Sequence, residues 1–248
     1  MGNQIIIAGA GWLGRPLALA LKDKHNKVTV LSRSDEQAEY FKEQHISVTK
    51  VNYLQIEPLA EPSKQHKTLI VCIPPVANYG VVLVELLKAI RPNYVIFSSS
   101  TSVYSQPYGE VNEASMLGGN PLLQEAESLI IHSEVPNCIL RFGGLIGEDR
   151  NPASHFSGKH NIPNGGAPIN LIHRNEIIEI ISQVIESRLT GVYNVVNPSH
   201  PTRKEYYEKQ CIQRGLLPCT FDSEGNGKIV NGSKISALLN RPYRFSIE

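Results

Sequence analysis

Gly9-Ala10-Gly11-Trp12-Leu13-Gly14 constrains this chain more than any other feature. The turn follows a short apolar run, Gln4–Ala8, that reads as a buried strand. Apolar residues at helical spacing over Trp12–Lys24 then read as a helix. The G-x-G-x-x-G spacing is weak alone and gains weight between a strand and a helix. Gly9 permits the tight turn, Gly11 lets a pyrophosphate approach the backbone, and Gly14 lets the helix pack closely. Trp12 and Leu13 carry the turn into the helix, whose unpaired N–H groups and positive dipole end favour phosphate oxygens. A dinucleotide is the expected occupant, and a turn that serves packing alone is the plain alternative. A methyltransferase loop usually has an acidic residue just before it, whereas Ile7 and Ala8 stand there.

The rest of the chain repeats the pattern of short apolar runs and amphipathic stretches. Strands are expected at Lys27–Leu31, Ile46–Val51, Thr68–Ile73, Tyr94–Ser98, Cys138–Phe142 and Gly191–Val196. Helices are expected at Asp35–Gln44, Tyr79–Ile90, Pro121–His132, Arg174–Ser187 and Thr202–Gly215. The last has Thr202 as N-cap with Glu205 three residues on and Gly215 at its end. Nearly continuous apolar strands alternating with helices predict an α/β fold, a Rossmann-type doubly wound parallel sheet of about seven strands. Gly147–Pro168, rich in Gly, Pro, Asn and His, breaks the pattern, and Ser223–Gly232 reads as a loop. The expected organisation is a dinucleotide-binding domain from 1–146 plus 171–197, with a small C-terminal substrate-side lobe from 147–170 plus 198–248.

Composition narrows the partners. With 24 Lys and Arg against 23 Asp and Glu, the net charge is +1, without the basic excess of a nucleic-acid binder. No run approaches the roughly 20 apolar residues that span a bilayer, and no secretory leader is evident. Cys72, Cys138, Cys211 and Cys219 show no C-x-x-C pairing and read as reduced thiols of a cytoplasmic protein. His155 and His160 lack a carboxylate at zinc-site spacing, so no metal is expected, and no G-x-S-x-G elbow occurs. The partner expected is a small molecule, with no nucleic acid and no membrane.

The end of the second strand selects the cofactor. An NAD enzyme places Asp or Glu there for the ribose 2′-hydroxyl. This chain has Ser32-Arg33-Ser34, with Arg33 standing 19 residues after Gly14. An arginine pairs bidentately with a 2′-phosphate, and two serine hydroxyls add hydrogen bonds. NADP is therefore favoured, and the nearby Asp35 and Glu36 keep NAD open.

Taken together, these segments resemble a known family. The Gly9–Gly14 turn, Phe97-Ser98-Ser99-Ser100-Thr101-Ser102-Val103-Tyr104, Arg141-Phe142-Gly143-Gly144 and Asn170-Leu171-Ile172-His173 occur in the order of an extended short-chain dehydrogenase/reductase of the NAD-dependent epimerase/dehydratase type. The resemblance runs to about Val196. It implies that Cys72, Ile73 and Pro74 lie along the cofactor, that Ser98 and Ser99 sit near the nicotinamide ribose, and that the Ser100 hydroxyl meets the substrate oxygen. It also implies a homodimer paired through the helices at Tyr79–Ile90 and Pro121–His132.

One departure matters more. The family's acid/base pair is Tyr-x-x-x-Lys, and none of the ten tyrosines has a lysine four residues on. Matching the family's helical Glu to Glu127 puts Gly119 at the Tyr position and Leu123 at the Lys position. Tyr104 is the first candidate for the missing proton group, followed by Tyr108, Glu110, Glu113 and His173. Arg150, His155, Lys159 and Asn170 are candidates to meet a polar or anionic substrate; His173 either supports its loop or joins them. Two readings stay open. The preferred one is an NAD(P)-dependent oxidoreductase, epimerase or dehydratase acting on a small polar, sugar-like substrate. The other is a dinucleotide-sensing regulatory protein without turnover.

Overall fold

The computed structural model describes residues 4–24, 26–57, 66–239 and 241–247. The first half alternates strand and helix: β1 (Gln4–Ala8), α1 (Gly14–Asp23), β2 (Lys27–Ser32), α2 (Asp35–Glu43), β3 (Ser47–Lys50), β4 (Lys67–Val71), α3 (Tyr79–Ile90) and β5 (Tyr94–Ser100). There follow β6 (Gly109–Val111), α4 (Pro121–Ile131), β7 (Asn137–Phe142), β8 (Gly144–Ile146), β9 (Leu171–His173), α5 (Arg174–Ser187) and β10 (Gly191–Val195). The chain closes with α6 (Arg203–Gln213), β11 (Lys228–Val230) and α7 (Ser233–Leu239).

Seven strands form one parallel sheet in the order β10-β7-β5-β4-β1-β2-β3, flanked by helices in a Rossmann-type fold. β1 lies between β2 and β4, with Ile7 opposite both Val30 and Ile70. The chain therefore fills the sheet in one direction from β1 to β3 and in the other from β4 onward. That reversal opens a crevice at the carboxyl ends of β1 and β4, the general ligand position in such sheets. Ile5, Ile7, Ala8, Leu69, Ile70 and Val71 are fully buried, which accounts for unbroken apolar runs where a half-exposed strand would alternate.

By its internal contacts the chain divides into two compact units. The first comprises 1–103, 119–140 and 178–192; the second comprises 104–118, 141–177 and 193–248. The first holds β1–β5 with α1–α4. In the second, Tyr206, Tyr207, Cys211, Cys219 and Phe221 gather in an apolar core with Phe156 packed against it. Two thiols of that core, Cys211 and Cys219, lie 3.4 Å apart at sulfur.

Local chemistry sets the helix starts. Ser34 caps α2 by accepting from the Gln37 N–H, and Asn120 caps α4 ahead of Pro121. Thr202 and Glu205 form the reciprocal capping box expected at α6. α1 begins at Gly14, two residues later than the apolar spacing predicts, because Gly11–Leu13 form the turn. Ser223–Gly232 is not all loop: β11 pairs in parallel with β6, with Lys228 opposite Gly109. Three-residue strands have too little pattern to read locally and exist here through a partner distant in sequence. Among the described residues no helix is long and apolar enough to cross a membrane.

Candidate functional site

The carboxyl ends of β1, β2 and β4 enclose a cleft of about 480 Å³ within the first unit. Gly9, Ala10 and Gly11 form one wall, Ser32, Arg33, Ser34 and Gln37 a second, and Tyr53, Cys72, Ile73 and Pro74 the rest. The three glycines differ in the space around them. Gly9 has φ +108° in the left-handed region, and a Cβ there would meet the Cys72 carbonyl carbon at 2.9 Å. At Gly14 a Cβ would lie 1.9 Å from the Gly9 carbonyl oxygen, so a side chain there would push the helix off the turn. At Gly11 a Cβ would meet nothing within 4 Å, which is the open space a phosphate needs beside bare backbone.

α1 presents its start without competition. No side chain caps it and no acidic residue occupies its first turn. Its leading N–H groups and the positive end of its dipole suit an anion. Trp12, Leu13 and Gly14 do not line the cleft; they bend the chain into α1, with the Arg15 N–H bonded to the Gly11 carbonyl at 3.0 Å. A pyrophosphate fits this arrangement.

The wall at β2 suits a second anion. Ser32 Oγ accepts from the Ser34 N–H at 3.1 Å, and Ser34 Oγ accepts from the Gln37 N–H at 3.4 Å. Each hydroxyl keeps its proton for an acceptor-only ligand such as phosphate. Arg33 is exposed beside them, and Asp35 is held by Lys50 at 2.7 Å, which offsets its charge. Tyr53 was not singled out from the sequence. Its hydroxyl donates to the Leu31 carbonyl at 2.7 Å, the same oxygen that accepts the Gly9 N–H. It thereby fixes the glycine turn to β2, and burial pushes its hydroxyl up to about 12. Gln37, one turn into α2, and Ala10 were likewise not anticipated.

β5 separates the three serines by alternation. Ser98 and Ser100 share one face, and Ser98 Oγ lies 3.7 Å from Cys72 Sγ at the end of the cleft wall. Burial raises that thiol to about 11, so it is not a ready nucleophile. Ser100 Oγ accepts from the Ser102 N–H at 3.1 Å and keeps its own proton to donate. Ser99 requires a correction: its hydroxyl points into the opposite layer and donates to the buried Glu127 carboxylate at 2.5 Å, so it does not serve the ribose face.

Tyr104, in the second unit, also differs from expectation. Its hydroxyl is buried, donates to Asn194 Oδ1 at 2.6 Å and accepts from Arg141 Nη1 at 3.0 Å. Burial raises its pKa, although Arg141 opposes the shift. Both bonding directions are filled by side chains of the second unit. Glu113 is engaged too, accepting from the Asn194 N–H at 2.7 Å, and Glu110 accepts from Asn231 Nδ2.

The expected substrate contacts separate as well. Asn170 donates to the Lys228 carbonyl and accepts from the Val230 N–H, both at 2.8 Å, so its amide holds β11 in place. A polar side chain in an irregular segment satisfies backbone before it meets a ligand. His173 stacks on Phe245 at 5.3 Å, and its Nδ1 accepts from the Asn175 N–H. Burial lowers its pKa, consistent with a supporting ring. Arg150, His155 and Lys159 are exposed. Glu176 is completely buried, pairs with Arg241 at 2.7 Å and accepts from the N–H groups of Arg244 and Phe245. It anchors the C-terminal segment. Among the described residues no cluster of His, Cys, Asp or Glu could hold a metal ion.

Comparisons with known proteins agree with this fold. A family model described as NAD(P)H-binding matches residues 9–188. Protein YeeZ of Escherichia coli strain K12 is 29% identical over 268 aligned positions, covering 98% of this chain and 96% of YeeZ. A functionally unknown protein of Silicibacter pomeroyi superposes with a TM-score of 0.79 at 20% identity, covering 98% of this chain and 94% of that one. The UDP-glucuronic acid 4-epimerase of Bacillus cereus, solved with UDP-glucuronic acid and NAD, gives 0.78 at 19% identity, covering 98% and 95%.

Proposed function

Because this chain belongs to the NAD(P)H-binding family, we propose that its first unit binds NADP(H) and that the protein is an oxidoreductase or epimerase acting on a small polar, sugar-like substrate. The cleft beside the glycine turn carries this reading, with an uncapped helix start at one wall and Arg33 with two proton-bearing serines at another. Gly11 and the start of α1 hold the pyrophosphate. Arg33, Ser32 and Ser34 hold the 2′-phosphate, while the Asp35 carboxylate, which a free ribose hydroxyl would seek, is bound to Lys50. Cys72, Ile73 and Pro74 form the wall that leads toward Ser98. Bound there, the nicotinamide supplies or accepts a hydride. Ser100 donates its proton to the substrate oxygen and so orients the reacting carbon.

A dinucleotide sensor without turnover is the second reading. It is favoured by the committed hydroxyl of Tyr104 and by the apolar, buried Leu123 at the position matched to the family's lysine. The two readings separate in one experiment. The protein is incubated with NADPH and a panel of polar aldehydes and ketones, and separately with NADP+ and nucleotide sugars, and cofactor absorbance and sugar isomer are followed. Turnover that falls in Ser100→Ala while NADPH affinity holds supports the enzyme. Saturable NADPH binding with no conversion across the panel supports the sensor. We also propose a homodimer paired through α3 and α4, where Val81 and Ile131 expose about half of their surface. Sedimentation of Val81→Glu with Ile131→Glu as a monomer, against a dimeric parent, would support it, and a monomeric parent would refute it.

A further inference from the structure

The first turn of α1 contains a cation where a helix least tolerates one. The positive end of the macrodipole lies there, and carboxylates are the residues that stabilise it. α1 instead has Arg15 as its second residue and no acid in that turn. The side chain is not left to solvent. Its Nε donates to Gln37 Oε1 at 3.2 Å, and its guanidinium carbon stands 3.9 Å from the centroid of the Tyr40 ring. Gln37 and Tyr40 are three apart on α2 and so share one face. One contact fixes an edge of the guanidinium and the other supports its plane. The two terminal nitrogens make no hydrogen bond among the described residues, so their donors stay available.

Gln37, which holds this arginine, lines the same cleft as Arg33 and Ser34. Gln37 thus ties Arg15 to the cleft that Gly11 and Arg33 line, beside an Asp35 paired with Lys50 at 2.7 Å. A pyrophosphate at Gly11 accounts for the helix start and leaves the guanidinium held by Gln37 unexplained.

We propose that Arg15 is a second, specificity-determining contact for the 2′-phosphate of NADP, positioned by Gln37 and Tyr40 from α2. The proposal rests on the NADP reading above. Arg15 and Arg33 come from different elements and grip one dianion from two sides, which NAD lacks. Arg15 then has no counterpart ligand group when the 2′-position is a hydroxyl.

The test titrates NADPH and NADH separately into the full chain and into Arg15→Ala, Arg15→Lys and Gln37→Leu, with calorimetry and melting temperature as readouts. Loss of one charge-assisted contact weakens NADPH by about tenfold or more. Arg15→Ala is expected to show that loss while its NADH affinity stays within about twofold. Arg15→Lys keeps the charge and recovers part of the NADPH affinity. Gln37→Leu, which frees the guanidinium, weakens NADPH less than Arg15→Ala does. Equal losses for both dinucleotides would make Arg15 a brace of the glycine turn and overturn the proposal. Unchanged NADPH affinity in Arg15→Ala would overturn it as well. A parent protein without preference for NADPH would refute the NADP reading itself, which is a different result. If Arg15→Ala melts too low to titrate, Arg15→Lys carries the comparison, and an unaltered NADPH-to-NADH ratio in Gln37→Leu then overturns it.

Discussion

One methyl group added at Gly14 or at Gly11 should have opposite consequences, although the two glycines are three residues apart in one turn. At Gly14 the new Cβ would lie 1.9 Å from the Gly9 carbonyl oxygen, and real Cβ atoms keep at least about 3.0 Å. The start of α1 and the turn must then separate by more than about 1 Å, against backbone that no rotamer can relieve. Overpacking of this kind costs about 1–3 kcal/mol, and a rigid backbone clash falls at the upper end. For a chain of this size each kcal/mol moves the melting temperature by about 2–4 °C, so Gly14→Ala should melt about 6–12 °C lower. At Gly11 the Cβ meets nothing within 4 Å, and stability should change by less than about 0.5 kcal/mol. The same methyl would stand where the pyrophosphate approaches, and NADPH affinity should fall by about tenfold or more. Thermal melts with and without NADPH measure both effects. A Gly14→Ala protein that melts with the parent, or a Gly11→Ala protein that binds NADPH like the parent, would refute the division of labour assigned to the turn.

Arg33→Ala should weaken NADPH by about tenfold and leave NADH nearly unchanged, measured by calorimetry; equal losses would make Arg33 a bystander. Glu176→Ala leaves the Arg241 guanidinium without its buried partner and should cost about 3–5 kcal/mol by chemical denaturation. A loss under about 1 kcal/mol would show that the C-terminal segment is held elsewhere. Tyr53 and Tyr207 are both raised from 10.0 to about 12, chiefly by burial, so the folded chain keeps protons that the unfolded chain releases near pH 10. Their stabilising effect is complete below about pH 10 and is lost as pH rises toward about 12. The melting temperature should fall over that window, and the fall should be smaller in Tyr53→Phe. Equal slopes in the two proteins would mean that Tyr53 does not contribute.

The parts of the fold legible in the sequence were those whose cause is local. β1 and α3 keep the bounds that their apolar runs predict, because β1 is buried within the sheet and α3 buries an apolar face that includes Val82, Leu83, Leu86 and Ile90, so neither needs a partner-specific pattern. The α6 capping box was legible from Thr202 and Glu205 because its geometry closes within four residues. β6 and β11 were not, since each is three residues long and pairs with the other across more than 100 positions of chain. The glycine turn and the Ser32–Ser34 segment were readable as cleft walls because backbone conformation and charge there follow from residue type. Ser99, Tyr104 and Asn170 were misjudged for a common reason. Residue type shows what a side chain can donate or accept, and only packing shows which partner it meets first. Strand alternation turned Ser99 to Glu127, Arg141 and Asn194 filled both bonding directions of Tyr104, and the backbone of β11 occupied Asn170. Tyr53 went unnoticed because its role is to bond a carbonyl of β2, which no motif records.

Dinucleotide binding in the first unit is tested most directly by calorimetric titration of the native protein with NADPH and with NADH. One equivalent of NADPH per chain, bound more tightly than NADH and stabilising by about 2.7 kcal/mol at 100 times its dissociation constant, is the predicted result. Absence of heat and of thermal stabilisation with either dinucleotide would contradict it.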